Sequence, residues 1–123
     1  MNIIKELLKD VPLPKMVKIR QTFNADEILD VSAALSAALV ESGQLAQIRP
    51  GMNIAIAAGS RGVAQIATLV RTTVAEVKKL GANPFVVPAM GSHGGATGAG
   101  QAEVLAHLGI TEEYVGCPIV SSM

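Results

Sequence analysis

Aromatic side chains are almost missing from this chain, which has two Phe, one Tyr and no Trp among 123 residues. Stacking on bases or sugar rings therefore lacks its usual platforms. No sign of charge is in excess either, with ten Lys and Arg against ten Asp and Glu. The basic stripe that grips a phosphate backbone is absent. Cysteine is scarce: the lone Cys117 excludes an internal disulfide framework and a cysteine zinc cage. No apolar run reaches the roughly 20 residues that span a bilayer. Residues 1–10 carry charge every few positions, where a signal peptide needs a continuous apolar stretch. A soluble cytoplasmic domain is the expectation.

What is present is a core. Hydrophobic residues make up 50% and charged residues 16%, which excludes a disordered chain. Surface scaling gives roughly 6,200 Å² folded against roughly 18,400 Å² unfolded, enough burial for one domain over residues 1–123 without staples.

The order of elements follows from periodicity. Residues 16–21, Met-Val-Lys-Ile-Arg-Gln, alternate apolar with polar as a half-buried strand does, and Pro12 and Pro14 keep the approach extended. Asn24 and Glu27 have capping-box spacing, and Ile28, Val31, Leu35, Ala38 and Leu39 recur at helical spacing before Gly43. After the turn Arg49-Pro50-Gly51, residues 53–58 form an unbroken apolar run, the pattern of a parallel strand buried on both faces. A helix over 63–80 follows, with Val63, Ile66, Ala67, Val70, Val74, Val77 and Leu80 on one face and Gly81 as its stop. Residues 85–87 make a second buried strand, residues 101–108 a further helix closed by Gly109, and residues 115–120 a short last strand. Strand, helix, strand is a βαβ unit. The fold class is α/β: a mostly parallel sheet with flanking helices, Rossmann-like, in a single domain. An apolar run met at once by the end of the chain reads as a cut, so a fragment of a longer protein is expected.

Ligands of open α/β sheets bind beyond the carboxyl ends of the strands. Two loops take that position, Gly59-Ser60-Arg61-Gly62 and the glycine-rich stretch from Gly91 to Gly100. If their strands are neighbours, Arg61 and His93 address one crevice. Familiar motifs fail on spacing. There is no G-x-G-x-x-G, no G-K-[ST], and no G-x-S-x-G to accompany the esterase-like run Ser92-His93-Gly94-Gly95. His93 and His107 have no ligand neighbours at metal spacing, so no metal site is expected from this chain alone.

Arg61 is either a bidentate fork for a carboxylate or phosphate or the surface arginine that opens the next helix, and its position favours the fork. His93 sits among glycines, where bulk has no propensity reason to be, and is placed for proton exchange near neutral pH; the plainer reading is a loop histidine bonding its own backbone. His107 reads as the charge partner of a helix C-terminus. Cys117 reads as a small buried apolar residue. Ser60, Ser92 and Thr97 are ligand contacts or helix caps, with capping favoured for Thr97.

With these loops in place, the chain resembles the N-terminal domain of the nickel-pincer lactate racemase family. The resemblance spans residues 12–123. It rests on Arg49-Pro50-Gly51, the strand leading to Ser60-Arg61, the helix ending Leu80-Gly81-Ala82, and Met90-Gly91-Ser92-His93-Gly94-Gly95-Ala96-Thr97. It implies a 2-hydroxy-acid racemase or epimerase in which hydride passes to a pyridinium–nickel pincer nucleotide and returns to the other face. It implies His93 as one of two acid–base histidines, Arg61 as the carboxylate-binding arginine with Ser60 and Ser92 beside the substrate, and Gly94, Gly95 and Thr97 beside the cofactor. Ala58 stands where the racemases usually have Asp. Ser60-Arg61-Gly62 replaces Thr-Arg-Pro, and Gly94-Gly95 replaces Arg-Pro, which leaves the 2-hydroxy acid open. The family's cofactor lysine, nickel-binding histidine and second acid–base histidine fall beyond residue 123. The resemblance thus implies half a site, no cofactor covalently held by this chain, a missing C-terminal domain, and no turnover of lactate by the chain alone. Uncovered apolar surface and zero net charge point further to a two-fold dimer through residues 115–123 or the nearby strand edge. The alternative reading is a non-catalytic α/β module whose loops cradle a carboxylate or phosphate.

Overall fold

The computed structural model describes residues 3–12, 15–24 and 26–122. In chain order these form helices α1 (Ile3–Leu7) and α2 (Val31–Glu41), strand β1 (Asn53–Ala58), helix α3 (Ile66–Lys79), strand β2 (Asn83–Pro88), and helices α4 (Gly98–His107) and α5 (Glu112–Val115). Short 3-10 turns at Gln44–Gln47 and Gly94–Ala96 join them. Pro14 and Met123, on which the extended approach and the end of the expected dimer segment fall, lie outside the described residues. Among the described residues no helix is long and apolar enough to cross a membrane.

The strands pair in parallel and without offset, Asn53 opposite Asn83 through Ala58 opposite Pro88. The protein is therefore a mixed helix–strand chain around a small parallel sheet, with the expected βαβ unit at its centre. The core gathers between α3, β2, α4 and the tail, where Val74, Val86, Leu105 and Ile110 are almost fully buried. β1 is not buried on both faces. Its exposure alternates, with Ile54, Ile56 and Ala58 less accessible than Asn53, Ala55 and Ala57. An apolar run of small residues satisfies either pattern, and here the helices pack on one side of the sheet.

Three other expectations need correction. Residues 16–21 form no strand, and Met16, Val17 and Ile19 are 91%, 79% and 80% exposed. Alternation predicts a strand only where a neighbouring edge offers ladder partners, and no described strand lies beside this segment. The first long helix begins at Val31 rather than behind Asn24. Asp30 caps it, its carboxylate accepting from the Ala33 amide at 2.9 Å, while the Asn24 amide donates to Asp26 instead. The final strand shrinks to one parallel bridge, Ile119 to Val86. The chain before it turns as α5, because Thr111 caps the Tyr114 amide and Glu112 and Glu113 favour a helix start.

α3 has two buried faces of different character. Val70, Val74 and Val77 are its apolar buried positions, while Thr72 and Glu76 meet α2. Thr72 donates to Ser32 at 3.0 Å, and Ser36 donates to the Glu76 carboxylate at 2.8 Å. Lys79 pairs with the same carboxylate oxygen at 2.6 Å. The ammonium and then the hydroxyl hold the Glu76 carboxyl below the usual carboxylate range, against the opposing effect of burial. A depressed folded-state pKa contributes stability that is present above the unfolded value, about 4.3, and is lost as pH falls through the folded value. Glu76→Gln is accordingly expected to melt below the wild type at pH 7, with the two curves converging under about pH 4. Melts that stay equally separated at both pH values would remove this carboxylate from the acid limb.

Candidate functional site

β1 and β2 deliver their loops side by side. The Ala89 amide donates to the Ala58 carbonyl at 2.8 Å, extending the ladder one step past the strands. Beyond it opens a crevice of about 400 Å³ lined by Gly59, Ser60, Arg61, Val63, Ile66, Ala89, Met90 and His93. Arg61 and His93, on different loops, thus share one space at the carboxyl edge of the sheet. Val63, Ile66 and Met90 supply an apolar wall. Arg61 is exposed and forms no ion pair among the described residues, so its guanidinium is available to an anion. Ser60 joins the two loops directly: its Oγ lies 2.5 Å from His93 Nδ1.

The second loop is held from below by a residue that sequence reasoning missed. Gln101 is 4% exposed, and its side-chain amide donates to the Gly91 carbonyl at 2.7 Å. The signal available was a lone polar amide in the first turn of a helix, with glycine and alanine on either side of it. Gly94 above it answers to packing. Gly94 has φ +65°, and a Cβ there would lie 2.5 Å from the Gln101 backbone nitrogen. Thr97 caps α4, accepting from the Gly100 amide at 3.1 Å, and its hydroxyl donates to the Gly94 carbonyl at 3.1 Å. Gly94 and Thr97 therefore have structural work of their own. Gly95, at φ +67°, faces open space.

Not every predicted residue comes to the crevice. Ser92 is exposed and does not line it, nor do Gly94, Gly95 and Thr97. His107 is the last residue of α4, away from the crevice lining. Cys117 is 6% exposed, and burial raises its thiol pKa, which leaves little thiolate to act as nucleophile. It borders a separate groove of about 640 Å³ near the amino ends of the strands, where Phe85, Pro118 and Val120 give an apolar lining. That groove is roomier, but among the described residues Lys78 is its single charged one and donates to the Gly116 carbonyl. Convergent polar groups make the smaller crevice the candidate site.

A nickel centre does not fit these residues. Among the described residues no three His, Cys, Asp or Glu side chains converge to hold a metal. The crevice offers one imidazole beside a guanidinium, and the guanidinium repels a cation. Set against protein-family models, curated proteins and solved structures, the chain matches none of them.

Proposed function

We propose that this chain supplies the carboxylate-binding and proton-handling half of a site for small 2-hydroxy acids, of the racemase or epimerase type that its sequence resembles. The observation that supports this most is the common crevice of Arg61 and His93. Arg61 pairs a carboxylate through two parallel N–H donors. The His93 imidazole takes the proton of the neighbouring hydroxyl and gives it back, acid–base help worth about 10²–10⁴-fold. Neither side chain accepts a hydride, so inversion by hydride removal and return requires a redox group in addition. The βαβ unit is read here as the centre of a Rossmann-like layer, with the ligand at the place such layers use.

The test is a titration of the ¹⁵N-labelled chain, followed by amide shifts. Lactate, propionate and inorganic phosphate serve as probes. Lactate is expected to move amides at 59–66 and 89–93 and to bind more tightly than propionate, which lacks the hydroxyl. Equal response to lactate and propionate would leave only an anion cradle, and shifts confined to other regions would remove the site.

A further inference from the structure

We infer that Ser60 is a positioning residue for His93: its Oγ accepts the Nδ1–H and so leaves the Nε2 lone pair as the base in the crevice. The inference rests on the acid–base role proposed for His93 and names the residue that makes the imidazole competent for it. His93 is exposed and lies in a loop followed by Gly94 and Gly95, so packing does little to fix its ring. Among the described residues its side-chain hydrogen bond is the one to Ser60, 2.5 Å from Oγ to Nδ1. Ser60 itself is half-buried at the end of β1, on backbone that the Ala89–Ala58 hydrogen bond ties to the second loop. The rigid partner therefore orients the free one.

The direction of the bond decides the chemistry. A neutral imidazole has one N–H and one lone pair. If the serine hydroxyl donated to Nδ1, the ring proton would sit on Nε2, and the ring would present a donor to a ligand hydroxyl. With Nδ1–H donating to Oγ, Nε2 is the acceptor, as removal of a hydroxyl proton requires. The serine proton is then free to point at a carboxylate brought in by Arg61, the next residue along the chain. The arrangement survives turnover, because the imidazolium keeps its Nδ1–H on Oγ while Nε2 gains and loses the proton. Serine adds no charge of its own, so the crevice keeps its net attraction for an anion.

The tautomer is read directly from long-range ¹H–¹⁵N correlations of the two imidazoles above their titration, with His107→Gln used to assign them. An unrestrained imidazole favours the proton on Nε2. Wild-type His93 is expected to favour Nδ1–H. Ser60→Ala is expected to move the ratio toward Nε2–H by roughly fivefold, the equivalent of one ordinary hydrogen bond. Ser60→Thr, which keeps the hydroxyl, is expected to restore it. Amide spectra of the variants show that the fold is intact. Wild-type His93 with its proton on Nε2, or a ratio unchanged in Ser60→Ala, would overturn the inference. Lactate titration separates the two ideas. Binding of lactate with no tautomer response removes the role of Ser60 alone. A tautomer response without lactate binding removes the proposed function and leaves the Ser60–His93 pair standing.

Discussion

Arg61→Ala is expected to weaken lactate binding by roughly ten- to thirtyfold, the equivalent of about 1.5–2 kcal/mol for hydrogen bonds to a charged group. The lower part of the range for such bonds applies because Arg61 is exposed, and water competes for both partners. The loss has two components. One is charge, since among the described residues Arg61 and His93 are the only titratable side chains that line the crevice. The other is geometry, since a carboxylate has two oxygens and the guanidinium fork meets both. Arg61→Lys divides them, keeping the cation and losing the fork, and roughly a three- to fivefold loss is expected for it. Raising the salt concentration should weaken wild type and Arg61→Lys alike, and Arg61→Ala hardly at all. Calorimetry or amide-shift titration across the three proteins makes the measurement. Neither variant should lower the melting temperature appreciably, because Arg61 has no ion-pair partner among the described residues. An Arg61→Ala protein that binds lactate as the wild type does would detach the arginine from the ligand.

The part of this architecture that sequence makes legible is the part governed by local signals. β1 is readable to the residue, because turn residues bound an apolar run on both sides, and α3 is readable from Ile66, Ala67, Val70, Val74 and Val77, although it starts at Ile66 rather than Val63 and Leu80 is its C-cap. Knowing those two elements and the strand after them is enough to bring Arg61 and His93 to one edge. Tertiary context decides the rest. Residues 16–21 have a strand's pattern and no described neighbour to pair with. Asp30 competes with Asn24 for the cap of α2, and the closer cap to the apolar stripe wins. The polar face of α3 is invisible to an apolar count, since Thr72 and Glu76 are buried only because Ser32 and Ser36 on α2 answer them. Ser60 and His93 stand 33 residues apart, so their bond is a product of strand register rather than of spacing.

Gly94→Ala is expected to be far more damaging than Gly95→Ala, and the pair tests why the loop beside His93 is rich in glycine. Both residues hold left-handed backbone, at φ +65° and +67°. A side chain there costs about 1–2 kcal/mol in either position. They differ in space. A Cβ on Gly95 meets nothing within 4 Å, whereas one on Gly94 collides with the backbone joining Gly100 to Gln101. Backbone cannot swing aside as a flexible side chain does, so overpacking adds about 1–3 kcal/mol at Gly94 alone. Against the roughly 5–15 kcal/mol that holds a small domain together, a total of about 2–5 kcal/mol is severe. The melting temperature is expected to fall by about 4–8 °C in Gly95→Ala and about 10–20 °C in Gly94→Ala. The second effect reaches the site. Pushing Gly94 away from the first turn of α4 displaces His93, its neighbour in the chain, from Ser60 Oγ. Gly94→Ala should therefore lose the Nδ1–H preference of His93 and weaken the lactate response, while Gly95→Ala keeps both. Equal melting temperatures for the two variants would mean that the close approach of Gly94 to α4 is not what shapes the loop, and the steric explanation for its glycine would fall.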